Sequence, residues 1–241
     1  MKVEVLGAGT GLCPELGNVS LLVWNSEQSR ATLLDCGCTV YPNLRRMEVS
    51  CQRDILGKID EVFISHGHSD HLGSLDMVLA YRTIVLHQKT KVAGMDIRAF
   101  LQEICHMDYQ LLIDESPICG LDLIQTSHVR GMLSYGCLVN DKLFYSGDSG
   151  KSLLLTAEAQ KAKLLIHEVS LETLYDLTND NQNEPFAVHV GIDDLYRNST
   201  PETRAKTWLA HYAPQEAEQL RAKAEVYGFA GLLEPGQIFD L

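Results

Sequence analysis

The sequence predicts a mixed α/β fold, and three observations support this prediction. Short apolar runs rich in β-branched residues alternate with segments of helical periodicity. Metal-capable polar side chains directly follow several of the apolar runs, and α/β sheets gather their chemistry at strand ends in this way. The 241 residues are 45% hydrophobic, which suits one large domain over residues 1–241 with an ample core.

The apolar runs predict strands throughout the chain. They cover residues 1–7, 20–24, 31–35, 59–64, 121–127, 134–139, 142–146 and 206–210. Asn140 and Asp141 separate two of these runs and predict a hairpin turn. The first run enters a glycine turn, Gly7 to Gly11, which lacks the helix of a dinucleotide-binding pattern and is expected near the functional site.

Helical periodicity predicts five helices between these strands. They cover residues 72–81, 91–102, 151–160, 191–197 and 214–227. Pro214 stands where the last helix begins, in agreement with the preference of proline for a first turn.

The most informative stretch is residues 65–73, Ser-His-Gly-His-Ser-Asp-His-Leu-Gly, which follows a predicted buried strand. It contains four side chains able to bind metals within six positions: His66, His68, Asp70 and His71. Imidazole with carboxylate suits zinc, and also manganese, iron or nickel. Four such groups are too many for one open catalytic zinc, so they indicate two adjacent ions.

Three further ligands are expected at the ends of other strands: His128, Asp148 and His211. We assign two sets of residues to two divalent ions: His66, His68 and His128 to the first ion, and Asp70, His71 and His211 to the second. Asp148 is expected to bridge them, because a shared carboxylate can hold two dications about 3.5–4 Å apart. Zinc is the expected metal and manganese the alternative.

With these motifs the chain resembles the metallo-β-lactamase-fold hydrolases over nearly its whole length. Within them it is most similar to the phosphodiesterase branch that includes ribonuclease Z. The resemblance rests on Leu6-Gly7-Ala8-Gly9-Thr10-Gly11, Asn18-Val19-Ser20, Leu34-Asp35-Cys36-Gly37, Ser146-Gly147-Asp148-Ser149, Ile166-His167-Glu168 and His211-Tyr212-Ala213-Pro214. It implies an αββα sandwich, two mixed sheets flanked by helices.

The resemblance also implies a mechanism, hydrolysis of a phosphodiester by a metal-bound hydroxide. Asp70 is expected to orient the attacking group or take its proton. A histidine placed like His189 contacts the phosphate in such relatives and helps to protonate the leaving oxygen. His167 is a second candidate for that proton transfer, and Glu168 is expected to orient the catalytic histidine.

Departures from ribonuclease Z favour a small substrate. Cys38-Thr39-Val40-Tyr41 replaces the usual Glu-Gly-Thr-Gln, and the 20 residues from His128 to Asp148 leave no room for an arm that grips transfer RNA. The net charge of −12 shows no basic footprint for nucleic acid. An armless enzyme of this branch resembles the small cyclic-nucleotide phosphodiesterases of phage and bacteria, of the anti-Pycsar type.

Three alternatives stay open at this point. The first is a transfer RNA 3′-processing endonuclease, the second a different metallo-hydrolase or an iron oxygenase of the same fold, and the third a non-catalytic nucleotide-binding protein. The sequence does not identify the base of the substrate. Tyr109, Tyr135 and Tyr175 are only candidates to hold it.

The remaining expectations concern assembly and compartment. A homodimer is implied by the relatives, and the polar segment 178–185 is expected to cover the site, to reach a partner subunit or to act as a linker. No stretch is long enough to span a membrane, and no signal peptide is recognised. Seven cysteines without regular spacing indicate a reducing cytoplasm, and five of them are expected to serve packing: Cys13, Cys51, Cys105, Cys119 and Cys137.

Overall fold

Two large mixed β-sheets form the centre of the protein. The computed structural model describes residues 1–13, 15–176 and 186–241, so the predicted polar segment 178–185 lies outside the described residues. The first sheet has the order β15-β1-β2-β3-β4-β5-β6. Its strands, from β1 onward, are β1 Lys2–Gly7, β2 Ser20–Trp24, β3 Ala31–Leu34, β4 Ile59–Ile64, β5 Thr90–Gly94, β6 Ile113–Asp114 and β15 Ile238–Asp240.

The second sheet has the order β14-β13-β10-β9-β8-β7. Its strands are β7 Leu121–Thr126, β8 Ser134–Val139, β9 Leu143–Tyr145, β10 Leu164–Glu168, β13 Thr207–Ala210 and β14 Gly231–Leu232. A separate two-stranded ribbon pairs β11 Leu174–Tyr175 antiparallel with β12 Ala187–His189. Each large sheet combines antiparallel and parallel strands, and the loops of the functional site follow parallel strands, such as β4 and β13, as well as the antiparallel strand β7.

The helices lie outside the sheets. They are α1 Val40–Cys51, α2 Ser69–Leu72, α3 Leu75–Ala80, α4 Tyr109–Leu112, α5 Ala157–Lys161, α6 Ile192–Arg197, α7 Pro201–Arg204 and α8 Ala217–Tyr227. Short 3-10 turns cover Leu56–Lys58 and Pro214–Glu216, and π-helical turns cover Tyr81–Val85 and Phe100–Ile104.

Three apolar layers hold these elements together. Neighbouring residues of one strand belong to different layers: Phe63 packs between the sheets, whereas Val62 packs on the outer face with Leu44 of α1. The second sheet repeats the pattern, with Tyr145 between the sheets and Phe144 against the outer helices. Strands buried on both faces explain the continuous apolar runs in the sequence. The implied αββα sandwich is confirmed.

The predicted strands agree with the observed ones to within two residues at either end. Asn140 and Asp141 both have positive φ, 51° and 54°, as a type I′ hairpin turn between β8 and β9 requires. This hairpin lies within the interval from His128 to Asp148 and leaves no space there for an inserted arm, as predicted.

Three helix predictions need correction. Residues 91–102 are not one helix, because Thr90–Gly94 forms β5 between parallel neighbours. Within 151–160 only the end is helical, where Thr156 caps α5. Residues 72–81 contain a break at Gly73 and Ser74. Helix α1 was not predicted at all.

The structure also bears on the predictions about membrane spans and about cysteine packing. In the described part of the chain no helix is both long and apolar enough to cross a membrane. The packing prediction is wrong for Cys51 and Cys119, which are exposed, and is confirmed for Cys13 and Cys137, which are buried.

Candidate active site

Four segments of the chain bring the predicted ligands together at one edge of the sandwich. The residues after β4 and in α2 supply the motif of residues 66–71, and the loop after β7 supplies His128. Asp148 follows β9, and His211 follows β13. Glycine permits the close packing here: a Cβ on Gly37 would lie 2.0 Å from the carbonyl oxygen of Asp70, so no larger residue fits.

The first set of histidines converges through its ring nitrogens. Nδ1 of His68 lies 2.9 Å from Nε2 of His66 and 3.1 Å from Nε2 of His128. Burial lowers the pKa of both His66 and His68, which favours the neutral rings that a metal requires. The ring nitrogens of His66, His68 and His128 are therefore close enough together to bind the same metal ion.

The second set lies beside the first. Nε2 of His211 is 3.2 Å from Oδ2 of Asp70, and Nε2 of His71 is 3.6 Å from the same oxygen. Burial opposes a proton on His211, but the charge of Asp148 and the hydrogen bonds to Asp70 and Glu168 together outweigh it and raise the pKa of His211 to about 10. The second set therefore combines imidazole rings with the negative charge of Asp70 and Asp148.

Asp148 stands between the two sets, with one carboxylate oxygen toward each. Oδ2 is 3.7 Å from Nε2 of His66 and 3.6 Å from Nε2 of His128. Oδ1 is 3.3 Å from Nε2 of His71 and 3.6 Å from Nδ1 of His211. This is the placement that a bridging carboxylate requires.

Two buried atoms test whether these residues fit a metal. Nε2 of His71 and Oδ1 of Asp148 have no hydrogen-bond partner although they lie 3.3 Å apart. Buried polar atoms are nearly always satisfied, so such a pair indicates an absent ligand. Groups of imidazole and carboxylate donors within 4.8 Å of one another surround both atoms. The residues present fit divalent cations.

Asp35 orients the second set and was not predicted to have a role. It accepts hydrogen bonds from Nδ1 of His71 at 2.8 Å, from the Ser65 amide at 2.7 Å and from the Tyr145 hydroxyl at 2.7 Å. A proton held on Nδ1 leaves Nε2 of His71 free to bind a metal. The signals in the sequence were its position directly after a buried strand and its place in the motif Leu34-Asp35-Cys36-Gly37.

The other histidines are oriented in similar ways. Nδ1 of His128 donates to the carbonyl of Val188 at 2.8 Å, and Nδ1 of His66 is 3.0 Å from the hydroxyl of Ser65. In both cases Nε2 is left facing the site.

Glu168 and His189 form a buried pair beside Asp148. Oε2 of Glu168 accepts from Nδ1 of His189 at 2.6 Å, and the other oxygen accepts from the amide of Ser149. Burial lowers the pKa of His189, but the charge and hydrogen bond of Glu168, together with the charge of Asp148, outweigh burial and raise it. His189 lines the cavity above the ligands, so it can present a proton there, as expected of a general acid.

His167 does not join this group, and its predicted catalytic role needs correction. Its side chain is fully buried. Nδ1 contacts the carbonyl oxygen of its neighbour Glu168 at 2.8 Å, and Nε2 accepts from the amide of Leu153 at 3.1 Å. Both ring nitrogens are therefore used by the backbone, and neither faces the cavity. His167 positions the chain.

The cavity above the ligands measures about 530 Å³. Its lining residues are Thr10, Gly11, Leu12, His68, Ser69, Asp70, Asp148, Val169, Ser170, Leu174, His189, His211, Ala213 and Glu216. The glycine turn therefore borders the site, as predicted. None of the three tyrosines proposed to hold a base is among these residues. A smaller cavity of about 160 Å³, lined by Trp24, Arg30 and Cys119 among others, contains none of the predicted site residues.

Solved structures share this fold. The metallo-β-lactamase fold protein YhfI from Bacillus subtilis aligns with a TM-score of 0.72 at 19% identity, covering 99% of this chain and 98% of that one. Human tRNase Z, short form, aligns with a TM-score of 0.66 at 18% identity, covering 100% and 99%. Fold and site define a metal-dependent hydrolase of the metallo-β-lactamase fold, with a divalent metal as cofactor.

Sequence comparison then gives the family. The family model described as anti-Pycsar protein Apyc1 matches residues 1–103 and 100–239, and the chain belongs to this family. The anti-Pycsar protein Apyc1 of Paenibacillus harenae is 27% identical, with both chains covered completely. The zinc phosphodiesterase ELAC protein 2 of Homo sapiens is 29% identical over 71% of this chain but only 25% of its own length.

Proposed function

We propose that this phosphodiesterase hydrolyses 3′,5′-cyclic mononucleotides and that it uses two divalent ions, with zinc preferred and manganese as the alternative. The observation that carries the proposal is the placement of Asp148, whose two oxygens face two separate sets of ligands. Family membership supports a small phosphodiester substrate.

The proposed ligands follow from the observed groups. His66, His68 and His128 would hold one ion, Asp70, His71 and His211 would hold the other, and Asp148, which lies close to both sets, would contribute to both. Bound ions lower the pKa of a water ligand and stabilise negative charge on phosphoryl oxygens.

The protein supplies position and a proton. Asp70 is half-buried at the cavity floor, where its carboxylate can accept a hydrogen bond from the attacking water. Nε2 of His189 faces the cavity and protonates the leaving ribose oxygen, while Glu168 keeps the ring oriented through Nδ1. Because the pKa of His189 is raised, the ring can take up a new proton after it has given one to the leaving oxygen.

The size of the cavity supports a mononucleotide. A volume of about 530 Å³ lies within the range of small-ligand pockets. The interval before Asp148 is filled by the β8–β9 hairpin, and 32 acidic residues outnumber 20 basic ones. A long polyanion such as transfer RNA finds little electrostatic attraction on such a chain.

Processing of transfer RNA is the second candidate, favoured by the similarity to ELAC protein 2. The two are separated by a comparison of kcat/KM on cyclic AMP, GMP, UMP and CMP with that on a precursor transfer RNA, at low salt and with added zinc or manganese. Turnover of cyclic mononucleotides with the precursor nearly untouched is expected. Cleavage of the 3′ trailer without action on any cyclic mononucleotide would restore the nuclease interpretation.

Metal analysis of the same preparation tests the cofactor. About two zinc or manganese ions per chain are expected from the dinuclear arrangement. A single iron would instead indicate an oxygenase of this fold. The proposed homodimer and cytoplasmic location are tested separately, by light scattering and by fractionation of the source cells.

A further inference from the structure

Gly150 lies where two parts of the site meet, and it has no room for a side chain. It is buried and follows Asp148 by two positions. On one side its amide donates to the carbonyl of Ser127 at 2.6 Å, next to His128 in the chain. On the other side a Cβ at this position would lie 1.8 Å from the carbonyl oxygen of Ala187 on β12. Gly150 is therefore packed between the loop that follows β7 and the ribbon.

Space, and not backbone conformation, requires glycine at position 150. Gly150 does not have the positive φ that favours glycine. The obstacle is the backbone of β12, since the carbonyl carbon of Ala187 would lie 2.3 Å from the added Cβ. A backbone group cannot rotate away as the end of a flexible side chain can. Any side chain at this position must therefore displace β12 or the loop that carries Asp148.

The face of β12 that meets Gly150 also carries the proposed proton donor. Ala187 and His189 are two positions apart on one strand, so their side chains lie on the same face. Nδ1 of His189 is 2.6 Å from Oε2 of Glu168 and 3.9 Å from Oδ2 of Asp148. A shift of β12 away from Gly150 would lengthen both distances.

The ribbon is held less firmly than the loop that carries Asp148. Among the described strands, β11 and β12 pair with neither large sheet. Val188 of β12 accepts a hydrogen bond from Nδ1 of His128 at 2.8 Å. The carbonyl of Asp148, in contrast, accepts from the hydroxyl of Thr126 at the end of β7, and the amide of Ser149 donates to Glu168. Of the two neighbours of Gly150, the ribbon is therefore expected to move.

We propose that Gly150 is a positioning residue for His189. Its missing side chain lets β12 lie against the loop of Asp148, and this contact sets the position of the His189 ring beside Glu168. The inference rests on the hydrolytic function and on the proton-donor role of His189 proposed above. Gly150 does not line the cavity, so its effect on turnover passes through His189.

The test is a double-mutant cycle of Gly150→Ala and His189→Ala. It measures kcat and KM on a 3′,5′-cyclic mononucleotide and on bis(p-nitrophenyl) phosphate, whose leaving group needs no proton. Gly150→Ala alone should lower kcat on the cyclic mononucleotide by roughly 10–100-fold, because a displacement of about 1 Å can cost that much. On the activated ester the loss should stay below about 3-fold. In the His189→Ala background, Gly150→Ala should change kcat by less than about 3-fold on either substrate, since two changes that act through one group are not additive.

The matched control is Gly228→Ala at the end of α8. The φ of Gly228 is 77°, so alanine strains the backbone there, but no atom lies within 4 Å of the added Cβ. This variant should lower the melting temperature and keep the parent kcat on both substrates. It separates a general loss of stability from a displacement of β12. Metal analysis should find the parent metal content in both glycine variants.

Proton NMR of the zinc-loaded protein gives a second readout that does not depend on turnover. The Nδ1 proton of His189, held by Glu168, should give a downfield resonance that disappears in His189→Ala. Gly150→Ala should shift or broaden this resonance, and Gly228→Ala should leave it unchanged.

If Gly150→Ala does not fold, Thr173→Val gives the same test without a steric clash. The hydroxyl of Thr173 accepts from the amide of Gly191 at 2.9 Å and donates to Asp194 at 2.5 Å, so its removal loosens the ribbon. The same difference between the two substrates is expected, and the same lack of effect in the His189→Ala background.

Four results would overturn the inference while the proposed function stands. They are an unchanged kcat in Gly150→Ala, equal losses on both substrates, a loss of the same size with and without His189, and a loss of metal in Gly150→Ala. Absence of turnover on every cyclic mononucleotide, with bis(p-nitrophenyl) phosphate still hydrolysed, would instead overturn the proposed function. The NMR comparison would then decide by itself whether Gly150 positions the ring.

Discussion

The floor and the rim of the cavity differ in how firmly the protein holds their side chains. At the floor, His71 and Asp148 are buried, and Asp35 holds His71 through Nδ1. At the rim, Leu12 is almost fully exposed, and Leu174 is 49% exposed. The comparison indicates that buried contacts hold the residues of the metal site in place. Substrate choice then depends on the exposed side chains at the rim, which can be substituted at little cost in stability.

The largest effect is expected from the floor itself. Asp148→Ala should remove the group shared by both ligand sets, so metal content should fall and hydrolysis should drop to background. The fold should persist, because the inter-sheet core does not include Asp148. Metal analysis, turnover and circular dichroism check this, with Asp122→Ala on exposed β7 as the control. Full turnover with two ions retained would show the assignment of Asp148 to be wrong.

The next effect concerns the proton donor above the floor. His189→Ala should keep its metals and should slow turnover by roughly 10²–10⁴-fold, the usual range for general acid catalysis. The loss should be smaller on bis(p-nitrophenyl) phosphate, whose leaving group needs no proton. Metal analysis and kcat on both substrates give the measurement. An equal loss on both, or loss of metal, would argue against a general acid.

A smaller effect is expected at Asp35, which does not belong to either ligand set but holds the ring of His71 in place. Asp35→Asn should weaken metal binding by roughly 10–100-fold, the usual cost of changing a residue that orients a ligand. Its amide can no longer hold the His71 proton as a carboxylate does. Competition with a chelator measures the change, and Tyr145→Phe, which removes only one bond to Asp35, should cause less of it. Equal metal affinity in Asp35→Asn and the parent would contradict the proposed orientation of His71.

The smallest effect is expected at the rim. Leu12→Ala should raise KM for a cyclic mononucleotide by roughly 2–10-fold through lost apolar contact, with kcat nearly unchanged. The melting temperature should not move, because the side chain is exposed in the free protein. Steady-state kinetics and thermal unfolding check both statements. A fall in kcat without a change in KM would place Leu12 in the chemistry and would remove the contrast between floor and rim.

The same contrast explains what could be predicted from sequence. His66, His68, Asp70 and His71 were visible because they lie within six positions after a strand. Asp35 was not assigned a role, because its partners Ser65, His71 and Tyr145 lie 30, 36 and 110 positions away. Only the folded chain brings such partners together.

Several strands were missed for a related reason. Thr90–Gly94 becomes a strand because β4 and β6 pair with it, and nothing in its own periodicity announces those neighbours. His167 shows the same limit in the site. It adjoins Glu168 in sequence, but successive residues of a strand point to opposite faces, so only Glu168 reaches His189.

The ribbon of β11 and β12 joins two tasks in one small element. Leu174 on β11 lies opposite His189 on β12, so a residue of the cavity wall and the proposed proton donor share a single backbone pair. Thr173 ties the ribbon to the body of the protein, since its hydroxyl accepts from the amide of Gly191 at 2.9 Å. Any drift of this hairpin would shift affinity and protonation together. If His189 is the proton donor, evolution of a new specificity through Leu174 would therefore carry a penalty in rate, whereas the same change through Leu12 would not.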